Sequence, residues 1–203
     1  MKILLPLLSL LASAALAGEA VPAISPTVQH EMLKPWQQNS IDLEAGYLWK
    51  IGGDTPLDYE IAPVILSWRP AYQLHHVFNS GAAIVMRSRF AAIGQAITQG
   101  PENHYFGLMA APSLEFWNPD GTWSIYGQIG GGLGWIDSQG VTGGQGQDLT
   151  YNWFAAAGVS FAVTEKVDFR VGAMFQHLSN RGATDPNPGL NSAGFTMGVS
   201  WDF

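Results

Sequence analysis

Residues 41–50 read IDLEAGYLWK, a stretch in which apolar and polar side chains alternate. One set of alternate positions holds Ile41, Leu43, Ala45, Tyr47 and Trp49, and the other holds Asp42, Glu44, Gly46 and Lys50. A hydrophobic period of two places the two sets on opposite faces of a β-strand. Aromatic residues on one face and charged residues on the other are typical of a strand with lipid on one side and a polar barrel interior on the other.

The same alternation recurs along the chain and predicts an all-β protein. We predict strands at residues 40–50, 58–68, 80–90, 104–117, 122–136, 149–163, 167–179 and 192–203. Eight is the smallest even number of strands that closes a bacterial outer-membrane barrel, and closure removes the edge that lipid would otherwise contact. The predicted fold is therefore an eight-stranded antiparallel transmembrane β-barrel of the outer-membrane type, covering residues 40–203.

The connections between these strands predict the orientation of the barrel. Residues 118–121 and 164–166 are tight turns, as periplasmic connections are in such barrels. Residues 91–103, 137–148 and 180–191 are long and are predicted to be outer loops. The third inner connection, near 69–79, leaves the strand boundary open.

The barrel interior is predicted to hold an ion-pair network. Arg87 and Arg89 share a face with Glu44 and Glu115 in this register. Side chains nearly fill the interior of an eight-stranded barrel, which argues against a pore.

Both ends of the chain predict export to the outer membrane. Lys2, the apolar stretch 3–16 and the A-x-A site that ends at Ala17 predict a secretory signal peptide over residues 1–17. Residues 18–39, with three prolines, are predicted to form an irregular periplasmic lead-in. A last strand ending at Phe203 resembles the terminal signal that the outer-membrane assembly machinery recognises.

Composition excludes several classes of function. Charged residues make up 12% of the chain, against roughly 25% in a typical soluble domain. Without Lys2, eight basic residues face sixteen acidic ones, a net charge of −8 that argues against a nucleic-acid partner. The absence of cysteine excludes disulfides and Cys-based zinc sites.

No metal or organic cofactor is predicted. His75 and His76 are adjacent strand residues, which point to opposite faces and do not favour binding one ion together. The glycine clusters at 130–132 and 143–144 lack the Lys-Ser/Thr that follows a phosphate-binding loop.

His177 and Ser179 form a polar pair on an otherwise apolar face. In the strand 167–179 the charged residues Asp168 and Arg170 share one parity, which must face the interior because a charge in lipid is unfavourable. His177 and Ser179 have the opposite parity, and same-face neighbours lie roughly 6.6–7 Å apart along a strand. Taken alone, the pair is explained most simply as polar residues at the membrane interface.

A longer motif gives the pair a chemical meaning. The segment His177-Leu178-Ser179-Asn180-x-Gly182, followed by Pro186-Asn187-Pro188-Gly189, resembles the active-site segment of the outer-membrane lipid A 3-O-deacylases (the PagL-like or acyloxyacyl hydrolase family). The close match covers about residues 175–203, and the barrel layout and export signal agree over the rest. The resemblance implies that lipid A in lipopolysaccharide is the substrate, His177 the base and Ser179 the nucleophile. It also implies oxyanion donors among Asn180, Asn187 and the backbone around Gly182.

One position departs from the family pattern. Characterised members carry a Glu twelve residues after the nucleophilic Ser, and this chain has Asn191 there. Asn can orient an imidazole by a hydrogen bond but does not stabilise the imidazolium by charge. Three alternatives remain open. Asn191 is sufficient to orient His177, another acid such as Asp185 replaces the missing Glu, or catalysis has been lost. The sequence thus leaves two hypotheses: an esterase that releases an ester-linked 3-hydroxyacyl chain, and a non-catalytic barrel that binds lipid or a partner through its outer loops.

Overall fold

The computed structural model describes residues 33–203. The predicted signal peptide (1–17) and the predicted lead-in up to residue 32 lie outside the described residues. The strands are β1 Ser40–Gly52, β2 Glu60–Arg69, β3 Leu74–Val77, β4 Ala83–Gln99, β5 His104–Trp117, β6 Trp123–Ile136, β7 Leu149–Ala162, β8 Val167–Ser179 and β9 Leu190–Asp202. A single 3₁₀ turn spans Pro35–Gln37. Over residues 33–203, no helix has the length and apolar character needed to cross a membrane.

The eight long strands close into an antiparallel barrel. Each pairs with its neighbour along the chain, β1 also pairs with β9, and β2 pairs with β4 across the inner connection. The predicted fold is therefore confirmed. We call the end with the short turns 118–122 and 163–166 the inner end, since periplasmic turns are the short ones in outer-membrane barrels. The four outer loops are then residues 53–59, 100–103, 137–148 and 180–189.

The third predicted strand, 80–90, is wrong in its extent. Strand β4 continues to Gln99, so the outer loop predicted at 91–103 shrinks to 100–103. The second half of β4 presents Ala92, Gly94 and Ala96 outward, while Ile93 points inward. Small residues on the lipid side and an apolar residue on the inner side erase the alternation on which the prediction depended.

The inner connection contains an additional short strand. Strand β3 pairs with the start of β4 and extends that hairpin at the inner end. The His75 ring packs 4.2 Å from Tyr72, and the His76 ring packs 4.8 Å from Phe78. No three His, Asp or Glu side chains of residues 33–203 are grouped as a metal site requires.

The inner half of the lumen holds the predicted network of ion pairs. Arg69 contacts Asp42 at 2.8 Å and Glu115 at 2.9 Å. Glu44 binds both Arg89 and Arg170, the latter at 3.3 Å. Within the predicted network, Arg89 pairs with Glu44, and Arg87 lies 4.0 Å from Glu115. A buried charge is tolerated when it is paired and hydrogen-bonded, so these groups pack where lipid cannot reach them.

The two ends of the lumen are filled by apolar side chains. At the inner end, Trp36 is 3% exposed and its ring lies 5.5 Å from that of Trp117. Toward the outer end, the buried cluster includes Leu48, Ile61, Tyr105, Phe154, Leu178 and Leu190. Because side chains fill the interior, the candidate functional site is to be sought on the outer wall and in the outer loops.

Candidate active site on the lipid-facing wall

His177 and Asn191 face each other across the last two strands. They are directly opposite in the β8–β9 register, and His177 Nδ1 lies 2.6 Å from Asn191 Oδ1. Both side chains are partly buried on the outward face, near the outer end. Asp185, the alternative acid, is exposed and makes no ion pair or hydrogen bond with His177 in residues 33–203.

This hydrogen bond selects one form of the imidazole. An amide oxygen can only accept, so His177 Nδ1 must donate its proton to Asn191. In the neutral ring the other nitrogen, Nε2, then has no proton and can accept one. Asn191 thus holds the tautomer that a general base needs.

Ser179 ends strand β8 on the same side of the wall. It lies opposite Tyr151 of β7 and is 9% exposed. No hydrogen bond joins Ser179 to His177 within the part of the chain that the structure describes. Two residues along a strand separate their backbones by roughly 6.6–7 Å, and hydrogen bonds of catalytic pairs are often long before the substrate is bound.

The three predicted oxyanion donors lie in the fourth outer loop, where two of them are already engaged. The Asn180 amide is fully buried and donates to the carbonyl of Gln145 at 2.7 Å and of Thr184 at 2.9 Å. Its Oδ1 accepts the N–H of Gly182 at 2.8 Å, and its own N–H donates to Asn187 Oδ1 at 2.9 Å. These contacts use the N–H groups of Asn180 and Gly182 but leave the amide nitrogen of Asn187 unused.

A glycine supports the imidazole from the loop side. Gly189 has φ +63°, and a Cβ built there would lie 3.3 Å from His177 Cε1. The left-handed backbone is accessible to glycine without penalty. Gly189 therefore lets the loop return into β9 in close contact with the ring. On the other side of Asn191, the β1–β9 register shifts between Lys50 and Gly52, as is common where a strand borders a functional site.

A buried carboxylate links the outer loops to the candidate site. Glu102, 2% exposed, accepts hydrogen bonds from Tyr59 at 2.7 Å, from Ser138 at 2.7 Å and from the N–H of Gln145 at 3.2 Å. Burial and the bond to Glu102 raise the pKa of Tyr59 well above its usual value. The carbonyl of Gln145 then receives the Asn180 amide, so the contacts run through all four outer loops to the residue after Ser179. Sequence reasoning missed Glu102, since nothing in its local sequence distinguishes it from an exposed loop acid.

An apolar groove begins one residue row below His177 and Asn191 on the same wall. Its volume is about 830 Å³. The row next to the site contains Trp49, Ala193, Phe175, Ala155 and Ile129, which follow one another across five strands. The next row contains Phe195, Ala173, Ala157, Gly127 and Leu114. In the first row the small Ala193 and Ala155 lie on either side of Phe175, and in the second row three small residues lie between Phe195 and Leu114. The small side chains leave the depression.

Trp153 lies beside both the candidate site and the groove. It lies directly opposite His177 on β7, and its ring lies 5.2 Å from Phe175 in an edge-on arrangement. Sequence reasoning did not include Trp153, although its strand parity already placed it on the outward face.

A sequence profile of the lipid A 3-O-deacylase (PagL) family matches residues 28–200. The chain belongs to this family. Among solved structures, the outer membrane enzyme PagL aligns with a TM-score of 0.55 and 18% sequence identity, over 78% of this chain and 97% of that chain. Neisserial surface protein A (NspA) aligns with a TM-score of 0.52 and 14% identity, over 81% of this chain and 97% of that one. A search of curated protein sequences gives no match.

Three predictions made from the sequence are confirmed: the family resemblance, the barrel fold and the location in the outer membrane. The resemblance to lipid A 3-O-deacylases is confirmed by the profile. At the identities found, the two solved structures bear on the fold alone, and that fold is the outer-membrane barrel. The chain is thus an outer-membrane β-barrel of the lipid A 3-O-deacylase family.

Proposed function

We propose that this protein hydrolyses the ester bond of a 3-hydroxyacyl chain on lipid A, with Ser179 as nucleophile and His177 as base. The observation that carries the proposal is the hydrogen bond between His177 and Asn191 on the lipid-facing wall at the outer end. A hydrogen-bonded imidazole beside a serine contributes little to a wall that contacts lipid, but it is what acyl transfer at the membrane surface requires.

The proposed reaction has two halves. His177 Nε2 takes the proton of Ser179 Oγ while the oxygen attacks the ester carbonyl, which forms a tetrahedral intermediate. The intermediate collapses to an acyl-enzyme, and the sugar oxygen leaves with the proton from His177. Water, deprotonated by the same nitrogen, then cleaves the acyl-enzyme and releases the 3-hydroxy fatty acid. No metal or cofactor takes part in these steps.

The developing oxyanion needs hydrogen-bond donors, and we assign the first of these to Asn187. Its carbonyl oxygen is fixed by the Asn180 N–H, which leaves its amide nitrogen free to donate. The N–H groups of Asn180 and Gly182 are the other candidates and would have to exchange their loop contacts to contribute. Removing one such donor in a serine hydrolase lowers turnover by roughly 10²–10³.

The groove provides a place for the acyl chain. An apolar depression of about 830 Å³ is of the size that encloses lipid-like and drug-like ligands. A chain lying in it would have its ester end at the row of His177 and Asn191. The glucosamine headgroup would then lie above, at the level of the outer loops.

Asn191 sets an upper limit on how well this site works. In a serine protease, replacing the triad Asp with Asn lowers turnover about 10⁴-fold because the wrong tautomer is held. Here the amide oxygen faces Nδ1, so the productive tautomer is held. What Asn191 lacks is the negative charge that would stabilise the imidazolium. We therefore expect slow but measurable hydrolysis.

The test is to incubate the purified, folded protein with lipid A in detergent and to measure the loss of a 3-hydroxyacyl group by mass spectrometry. Ser179→Ala should abolish release, Asn191→Ala should reduce it, and Asn191→Glu should increase it because a carboxylate also stabilises the imidazolium. Activity that appears only in Asn191→Glu would identify a site disabled by one residue. If lipid A stays intact with either Asn or Glu at 191, the esterase is excluded and the lipid-binding barrel, which the missing acid favours, remains.

Two expectations on assembly accompany this function. We propose that the outer-membrane assembly machinery recognises β9 through Phe203, whose side chain is 59% exposed. Deletion of Phe203 should reduce the amount of folded protein in the outer membrane.

Sequencing of the mature N-terminus should find Gly18 first if residues 1–17 are a cleaved signal peptide.

A further inference from the structure

We propose that Arg181, supported by the ring of Tyr151, binds a phosphate group on the glucosamine headgroup of the substrate. The proposal rests on the proposed lipid A substrate and adds a specificity-determining residue to it. It concerns a loop residue that takes no part in the acyl transfer.

The distribution of cations singles out Arg181. Over the described residues the Lys and Arg side chains are Lys34, Lys50, Arg69, Arg87, Arg89, Lys166, Arg170 and Arg181. The four at 69, 87, 89 and 170 are buried in the lumen, and Lys34 and Lys166 lie at the inner end. Lys50 donates to the carbonyl of Thr55 at 2.6 Å. In residues 33–203, Arg181 is the exposed outer-loop cation that makes no hydrogen bond or ion pair with the protein.

Arg181 is held beside the candidate nucleophile. Its guanidinium carbon lies 5.1 Å from the ring centroid of Tyr151, within the distance at which a cation is attracted to an aromatic face. Tyr151 is directly opposite Ser179 in the β7–β8 register. The charge is therefore positioned on the β7 side of Ser179, while Asn191 lies on the β9 side of strand β8.

The backbone at Arg181 is strained. Its φ is +58°, and in the described part of the chain it is the one residue other than glycine with a positive φ. This left-handed conformation is unfavourable for an L-residue other than Gly, Asn or Asp, and such strain is concentrated at functional sites. Hydrogen bonds from the N–H groups of Gly182 and Ala183 to Asn180 hold the turn. The loop thus keeps an arginine where Asn or Gly would be accommodated more easily.

The chemistry of the ligand follows from the guanidinium and its surroundings. A guanidinium presents paired donors that match a phosphate. The outer loops carry Asp54, Asp58, Asp137 and Asp148, which repel an anion elsewhere on this surface, while Asp185 lies four residues from Arg181 in the same loop. Lipid A is a phosphorylated glucosamine disaccharide, so its headgroup supplies phosphate at the height of Arg181 when the acyl chain lies in the groove.

The experiment compares phosphorylated lipid A with the same lipid after enzymatic dephosphorylation, in mixed detergent micelles. Arg181→Asn removes the charge but keeps a residue that tolerates positive φ. We expect it to raise KM for phosphorylated lipid A about tenfold or more, since hydrogen bonds to charged groups contribute strongly, with kcat retained. KM for the dephosphorylated lipid should not change. Lys166→Asn, which removes a cation at the inner end, is the matched control and should change neither value.

The aromatic support and the binding step are tested separately. Tyr151→Phe should retain the low KM and Tyr151→Leu should lose it. If the native protein hydrolyses neither lipid, the esterase fails. Tighter binding of phosphorylated lipid A that Arg181→Asn abolishes would still support the phosphate site. Equal binding of the two lipids by the native protein, or equal KM values for the native protein and Arg181→Asn, would overturn it.

Discussion

The imidazole of His177 is held by a hydrogen bond to Asn191, and the loop passes so close at Gly189 that an added Cβ would lie 3.3 Å from the ring. Strand parity alone places His177 and Asn191 on the outward face, because the period of two leaves no other choice once the charged residues face the lumen. Their separation and the contact with Gly189 could not be derived in this way. They depend on the register between β8 and β9 and on the path of a loop.

We predict that Gly189→Ala lowers kcat by about tenfold while the barrel stays folded. The added Cβ would lie 3.3 Å from His177 Cε1, so the ring or the loop must shift, and the backbone at φ +63° is strained for alanine. Steady-state hydrolysis of lipid A measures the effect.

Gly140→Ala is the control for that variant. Gly140 also has a positive φ, at +77°, but a Cβ there meets nothing within 4 Å. It reproduces the backbone strain without the contact. Equal losses of activity in the two variants would show that the close approach to the His177 ring is not the cause of the loss in Gly189→Ala.

The outer loops act together through Glu102. Strands rich in outward aromatic residues, such as β1 and β6, were predicted from the sequence to within one or two residues, because each carries its own alternation. The predicted strand 80–90 was too short, because the outer half of β4 presents Ala92, Gly94 and Ala96 to lipid and therefore shows no alternation. The loop network was not predicted, because the partners of Glu102 come from two other outer loops, 53–59 and 137–148, which are distant in sequence.

We predict that Glu102→Ala lowers kcat far more than it changes KM. Tyr59 and Ser138 would lose their acceptor in a buried place, which costs about 1–3 kcal/mol for each group, whereas the Gln145 N–H would keep Ser138 Oγ as its acceptor. The fourth loop, held through Gln145 and Asn180, should loosen beside Ser179. Glu102→Gln keeps the size of the side chain and one acceptor oxygen. It should therefore retain most of the activity of the native protein.

Limited proteolysis separates loop loosening from loss of the barrel. Glu102→Ala should be cut in the outer loops faster than the native protein, with unchanged barrel unfolding. Asp58→Ala, which removes an exposed outer-loop acid, should behave like the native protein in both assays. Native-like cleavage and native-like kcat in Glu102→Ala would contradict a coupling of the loops to the site.

The stability of the whole barrel depends on charges that lipid never contacts. Glu44 is 2% exposed and binds two arginines, Arg89 and Arg170, at the centre of the inner lumen. The sequence predicted that Arg89 and Glu44 belong to one lumen network, because both residues have inward parity, but it did not assign the pair. Arg170 lies two strands from Glu44, across Gly198 of β9, so its contribution depends on the pairing of β1 with β9 that closes the barrel.

We predict that Glu44→Gln lowers the free energy of unfolding by about 3–5 kcal/mol, since removing one partner leaves buried charge uncompensated. Urea unfolding in detergent measures the change, and the heat-dependent shift in gel migration expected of a barrel should occur at a lower temperature. Glu165→Gln in the exposed inner turn is the control. Equal stability of both variants would show that the lumen network is energetically neutral.

The groove opens sideways from the wall and not upward into water. A substrate that enters it does so by lateral diffusion within the leaflet, with its chains never leaving the hydrocarbon phase. The quantity that sets the encounter rate is then the mole fraction of lipid A in the leaflet, not its concentration in the bulk. Dilution with inert lipid at constant lipid A should slow the enzyme, whereas dilution with buffer should not. The fatty acid leaves by the same route and remains in the membrane, where neighbouring lipids compete with it for the wall.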